Sequence, residues 1–248
     1  GCPPNGIPRR LQRRWGAAGR RDPRVHRRLG CRGADLQVSG YLIPPAELEL
    51  QAKIAGFEKV ELGDVVTTVR PMAVTKDESG IDVWEIGAAD LPAYGYINGP
   101  GRTVRVAVSE KNERNFLQPL DTVLIIKGSV GKVGIVPKDV PPAGPGGWVA
   151  GQSAIVLRVL DDRVDARALA LQLRSSFGQH LLARLVKGAS IPMIQVRELM
   201  QLSVLMPDDQ TTAAAVAALE KESKLQQQIE ALHDQLAEIS AELWSLVS

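Results

Sequence analysis

The residues of this chain that come nearest to ligand chemistry are Lys127-Gly128-Ser129-Val130-Gly131-Lys132-Val133-Gly134. Glycines let backbone N–H groups approach an anion closely, and two flanking ammonium groups add charge, which is the chemistry of phosphate contact. A nucleotide-binding P-loop does not fit. Such a loop wants Gly five residues before its Gly-Lys pair and Ser or Thr directly after the Lys, and those positions hold Ile126 and Val133. A strand pattern follows the loop where a P-loop leads into a helix. Two readings stay open: a hairpin turn that touches nucleic-acid phosphates through Lys127, Gly128, Ser129, Gly131 and Lys132, or a plain tight turn with solvated lysines.

Other polar residues sit where a reader of nucleic acid would want them. Gln152, Ser153 and Ser190 lie on tight loops, and Gln suits adenine edges while Ser suits phosphate or base contacts. Lys187, Arg102 and Arg105 add cations. Trp84, Trp148, Tyr94 and Tyr96 lie in or beside loops and strand ends, where aromatics stack on bases or cap a core. Trp84 sits inside an apolar strand, so the core role is expected for it.

The usual catalytic sets are missing. His26, His180 and His233 have no ligand-spaced neighbours, so no metal site is predicted. Cys2 and Cys31 are the only cysteines, which leaves the body without a thiolate zinc site or a Cys nucleophile. No Ser-His-Asp set, Asn-Pro-Pro-aromatic loop or Gly-x-Gly-x-x-Gly fingerprint is present. The sequence therefore predicts no catalytic residues of its own and no bound cofactor. That argues against an independent catalyst and leaves room for a subunit of one.

The formal net charge of +2 hides an asymmetry. Residues 1–40 hold 10 Arg against 2 Asp, residues 41–205 hold 18 basic and 18 acidic side chains, and residues 206–248 hold 2 Lys against 8 acids. The body is thus no polyanion-binding block, and nucleic-acid contact must come from local clusters or a partner. No apolar run reaches the length of a membrane span, and the first residues lack a signal-peptide core. Cytoplasmic location is the expectation.

Three segments follow. Residues 1–40 are Arg-, Gly- and Pro-rich without apolar period, and read as a disordered basic arm or as a non-native stretch. Residues 41–207 are read as the body of the chain. A short helix is expected after Pro45, then strands at Val60–Val69, Val83–Ile86, Thr103–Val108, Thr122–Lys127, Val133–Val136, Ala154–Val159 and Leu202–Met206. Thr122–Lys127 is nearly all apolar, so burial on both faces is expected. Residues 137–147 are a Pro/Gly loop, and residues 165–187 predict two helices broken near Phe177-Gly178. Residues 188–194 read as a tight extended passage. Residues 208–248 are a long helix, N-capped by Asp208 or Asp209. Leu225, Ile229, Leu232, Leu236, Ile239, Leu243 and Leu246 step by four and three, which is the seam of a coiled coil and calls for a partner helix. Its acidic rim disfavours DNA on that side.

In order and spacing these segments resemble one target-recognition domain of a type I restriction-modification DNA specificity subunit. The phrases that carry it are Glu61-Leu62-Gly63-Asp64-Val65, Leu120-Asp121-Thr122-Val123-Leu124-Ile125 (where the family has Gly just before the Asp or nearby) and Gly128-Ser129-Val130-Gly131-Lys132-Val133-Gly134-Ile135-Val136. Leu169–Leu185, Gly188-Ala189-Ser190-Ile191-Pro192 and Leu205-Met206-Pro207 with Gln210 complete it. The resemblance implies an α/β (α+β) target-recognition domain with a long C-terminal coiled-coil helix. Its loops would read half of a bipartite double-stranded DNA target, and its helix would pair with another as a fixed-length spacer. A separate adenine-N6 methyltransferase would use S-adenosylmethionine, and a restriction and translocase subunit joins some complexes.

The family's full subunit has two such domains and two helices, and this sequence has one of each. A half-subunit that homodimerises would read an interrupted palindrome. The alternative is the tail of a longer protein. Similar domains occur fused behind an adenine methyltransferase, the stretch from Gly144 to Ser153 resembles those versions, and the missing initiator Met fits a split gene. A coiled-coil adaptor without DNA function is the third reading.

Overall fold

The computed structural model describes residues 56–161 and 163–245. The Arg-rich stretch 1–40, the helix expected after Pro45, the Leu243 side chain and Leu246 lie outside the described residues. The chain runs β1 (Glu58–Glu61), a helical turn α1 (Leu62–Val65), β2 (Val66–Val69), β3 (Ile81–Ile86), β4 (Arg102–Val106), β5 (Thr122–Ile125), β6 (Val133–Ile135), β7 (Trp148–Ala150) and β8 (Ala154–Val159). Then come α2 (Ala166–Arg174), α3 (Ser176–Leu185), β9 (Val186–Lys187), β10 (Met193–Ile194), α4 (Val196–Met200), β11 (Ser203–Met206) and α5 (Asp209–Ser245). This is the α/β class expected, with the long helix last.

The centre is a four-stranded antiparallel sheet ordered β2-β8-β5-β6. Alternation splits its side chains between two cores. Leu124, Ile135, Ile155 and Leu157 join Leu169, Leu173, Leu182 and Leu219 on the helical side. Val123, Ile125, Ala154 and Val156 join Ile86, Leu117, Val136 and Trp148 on the other. That second side is covered by the sheet β4-β3-β7, in which β3 and β7 are parallel. Val123, Leu124 and Ile125 are consequently fully buried, as the apolar run predicts.

A buried ion pair closes the start of β5. Arg158 donates from Nε and Nη2 to the two Asp121 oxygens at 2.9 and 2.7 Å, and its Nη2 also reaches Phe116 O. Leu120, just before it, stands at φ 66. This left-handed conformation favours glycine and is uncommon for a leucine.

Several elements differ from the sequence reading. The strand-turn phrase Glu61-Leu62-Gly63-Asp64 at the head of the run Val60–Val69 becomes the helical turn α1, because the Leu62 N–H turns to Leu202 O and Gly63 packs against Met200. The break between α2 and α3 falls at Ser175, whose hydroxyl accepts from Gly178 N–H and caps α3. Phe177-Gly178 therefore opens α3 instead of separating the helices. Gly178 is required there: a Cβ would collide with the Gln172 carbonyl oxygen and with the Leu173 backbone. Residues 188–194 form the loop and second strand of a β9–β10 hairpin. Trp84 is not a core residue, since it faces outward from β3 and is 39% exposed. Asp208 caps α5, accepting from Thr211 N–H at 2.7 Å.

Two outcomes follow from these contacts. Gly178→Ala is expected to lower stability by about 3 kcal/mol in chemical denaturation, through overpacking at α2. Asp165 caps α2, accepting from the N–H groups of Arg167 and Ala168. The Arg167 guanidinium holds its carboxyl below the ordinary 3.8. A lowered folded-state value means that the stabilisation is complete above pH 3.8 and fades as pH falls through that lower value. Asp165→Ala should thus cost about 1 kcal/mol at neutral pH, and its denaturation midpoint should converge on that of the parent below pH 3.8.

Candidate nucleic-acid interface

Three loops picked out in the sequence meet at one end of the central sheet. β5 and β8 pair so that Ile125 lies opposite Ala154. The turn after Ile125 and the turn before Ala154 therefore leave the sheet side by side. Ile126 and Lys127 both donate their N–H to Ser153 O, at 2.9 and 3.2 Å. The β9–β10 loop completes the group: Gly128 N–H donates to Pro192 O at 2.9 Å, Ile194 N–H donates to Ile126 O at 2.8 Å, and Lys127 bridges Met193. Arg163 lies past the opposite end of β8.

The first two loops line a cleft of about 270 Å³ that includes Lys127, Ser129, Gln152, Ser153, Glu85 and Gly87. The Lys127 ammonium has no carboxylate or hydrogen-bond partner among the described residues. Ser129, Gln152 and Ser153 are exposed. Ile191 and Met193, beside the turn, are 55% and 44% exposed. The edge thus offers one unpaired cation, one amide, apolar contact and the hydroxyls of Ser129, Ser153 and Ser190.

The backbone donors expected to meet phosphate are mostly committed. Gly128 N–H is held by Pro192 O, Gly131 N–H by Ile125 O at 3.0 Å, and Val130 N–H by Gly128 O at 2.8 Å. The first of these bonds joins two loops, and the other two close the turn on itself. The N–H of Ser129 is left without a bond to any described residue. Phosphate chemistry here rests on Lys127 and Ser129 more than on a glycine cradle. Gln179 fixes the far side of the turn, with its Nε2 donating to Gly131 O at 2.8 Å and Leu173 O at 2.9 Å.

The remaining candidates divide. Lys132 is exposed, and its Nζ donates to Ala88 O at 3.0 Å, on the cleft wall. Gln152 spends one N–H on Met72 O at 2.7 Å. Its oxygen and second N–H remain, which is the acceptor and donor pair an adenine edge requires. Ser190 is exposed on the β9–β10 loop. Lys187 on the same hairpin is ion-paired with Glu198.

Arg102 reaches the cleft indirectly, donating from Nη2 to the nearly buried Glu85 at 2.6 Å. Arg105 is not brought to the cleft. It faces out from β4 and grips Asp82 through two bonds of 2.9 and 3.0 Å. That guanidinium holds the Asp82 carboxyl below its ordinary value. Glu85 and Gln179 are the site residues the sequence reading missed. Glu85 had a signal: a carboxylate on the face of β3 that it shares with Ile81 and Val83.

The seam is exposed on this chain. Leu225, Ile229, Leu232, Leu236 and Ile239 are between 46% and 64% exposed. Among the described residues no group of His, Cys, Asp and Glu could hold a metal ion, and no helix is long and apolar enough to cross a membrane.

No protein-family model and no curated protein matches the chain. Among solved structures it is similar to the S subunit of the type I restriction-modification system from M. genitalium, at 19% identity and TM-score 0.45, over 75% of this chain and 43% of that one. It is similar to a chain from work on complex assembly and conformational transition of the type I R-M system, at 19% identity and TM-score 0.45, over 81% and 49%. It is also similar to the HsdS subunit from Thermoanaerobacter tengcongensis, at 20% identity and TM-score 0.46, over 82% and 43%. The chain spans less than half the length of each of these proteins.

Proposed function

We propose that this chain is the DNA sequence-reading component of a type I restriction-modification system and performs no chemistry itself. The observation that carries this is the convergence of the Lys127, Gln152 and Ser190 loops at one sheet end, tied by backbone hydrogen bonds. Nothing in the local sequence demands that three distant loops meet. Their meeting gives a firm edge of cation, hydroxyl and amide, which suits a duplex. Lys127 and Lys132 neutralise phosphates, and Gln152 reads a base edge.

The chemistry belongs to a partner. An adenine-N6 methyltransferase would bring S-adenosylmethionine, and a restriction and translocase subunit would join it where cleavage occurs. This chain needs no cofactor for its part. The exposed seam along α5 suits a second copy of the same helix, which would place two reading edges on one interrupted palindrome.

Binding to duplex DNA at several salt concentrations tests the role. Lys127→Glu combined with Lys132→Glu should lower affinity at least tenfold and flatten the log–log salt slope by about two, one for each phosphate no longer neutralised. Both side chains are exposed, so folding should be unaffected. Equal binding by variant and parent would leave the coiled-coil adaptor as the reading. Gln152→Ala should act differently, relaxing preference at one base pair by about 1–3 kcal/mol with an unchanged salt slope.

A further inference from the structure

Helix α5 carries two stripes. Leu219, Ser223, Gln226 and Glu230 face the body: Leu219 is fully buried, and the other three line a cleft of about 340 Å³ shared with Tyr96 and Asn98. Leu225, Ile229, Leu232, Leu236 and Ile239 form the exposed seam. At 3.6 residues per turn the two stripes lie about a third of a turn apart. Docking on the body therefore leaves the seam exposed.

The docking is held by a closed ring of hydrogen bonds. Arg174 donates from Nη1 to Glu222 Oε2 at 3.1 Å and from Nη2 to Gly95 O at 3.0 Å. Gly95 N–H donates to that same carboxylate oxygen at 3.1 Å. Gly95 stands at φ 69, and a Cβ there would lie 3.0 Å from Ser223 Cα. Two further bonds extend the hold along the helix. Tyr96 OH donates to Glu220 Oε1 at 2.8 Å, and Asn98 Nδ2 donates to Glu230 Oε2 at 2.7 Å.

One loop joins this hold to the reading edge. Residues 87–101 begin at Gly87 and Ala88, which line the cleft beside Lys127. Asp90 ties the loop's two ends by accepting from Gly87 N–H and Gly101 N–H. Ile97 N–H anchors it to Ile135 O of β6. The direction of α5 is thereby referenced to the edge itself.

We propose that the Gly95, Arg174 and Glu222 ring is the positioning element that sets the separation of the two half-sites read by a pair of these chains. This rests on the DNA-reading role proposed above. The lever arm makes it effective. From Glu230 to Ser245 the helix runs about 22 Å at ~1.5 Å per residue. A tilt of about 10° moves its end by about 4 Å, close to the ~3.4 Å step between base pairs along one strand. A change too small to disturb the cleft still shifts the spacer by one base pair.

The test pairs a distance with a target. Spin labels are attached through Thr103→Cys and Glu238→Cys, with Cys2→Ser and Cys31→Ser, and the labelled chain is diluted into unlabelled chain. The parent should give one narrow distance, and Gly95→Ala and Glu222→Ala should shift or broaden it by several ångströms. Selection from random duplex DNA, with the full chain and its methyltransferase, should return the parent's half-site sequence with a spacer altered or loosened by one base pair. Retained half-site preference shows that the body is folded. Should Gly95→Ala fail to fold, Glu222→Gln carries the same comparison. An unchanged distance, or a changed distance with an unchanged spacer, overturns the proposal. A parent that enriches no split motif removes the DNA-reading role itself, a failure distinct from an unchanged spacer in the variants.

Discussion

The pairing of β5 with β8 is the constraint on which the structure depends. These strands are covered on both faces, by helices on one and by a second sheet on the other. Their residues have no solvent-facing alternative, so register is fixed: a one-residue slip would exchange the two cores. A fixed register places Ile125 opposite Ala154 and makes the turns beyond them neighbours. The buried Asp121–Arg158 pair secures the other end of the same strands. Removing either partner would leave a buried charge, which costs about 3–5 kcal/mol. The pair therefore guards the register as well as the fold.

Position and chemistry divide cleanly in this molecule. The central sheet and the β9–β10 hairpin supply a firm edge, and Lys127, Ser129, Gln152, Ser153 and Ser190 stand exposed on it. Firmness comes from backbone groups: Ile126, Lys127, Gly128 and Ile194 spend their N–H groups on bonds between the loops. The helix solves a separate problem. It carries a docking stripe and a seam on different faces, so one element both joins the body and leaves an apolar seam exposed. Tyr96 donates to the docking stripe through Glu220, and burial together with this bond pushes its phenol up to about 12.

What was legible in the sequence was what strong local pattern dictates. Ala154–Val159 reads as a strand from its β-branched apolar run and is one residue for residue. The continuous burial of Val123 to Ile125, the Pro/Gly loop at 137–147 and the long final helix were legible for the same reason. The elements misread were set by distant partners. The turn at Leu62–Val65 exists because Leu202 O waits across the fold. The outward face of Trp84 depends on which side of β3 meets the core. The β9–β10 hairpin is two residues per strand, too short to leave a period. In the site, residue types were legible and their neighbours were not: Arg105 looked like a free cation until Asp82 was found opposite it, and Lys187 until Glu198 was.

In the proposed role the edge formed by the three loops faces DNA. Site-specific photo-crosslinking tests it most directly, with a benzophenone amino acid placed singly at Ser129, Ser153 or Ser190 and at Arg163 beyond the opposite end of β8. The full chain, assembled with its methyltransferase, would be irradiated on duplex DNA that it enriches. Crosslinks are expected from the three loop positions and none above background from Arg163. Equal crosslinking from all four positions, or crosslinking from Arg163 alone, would contradict it.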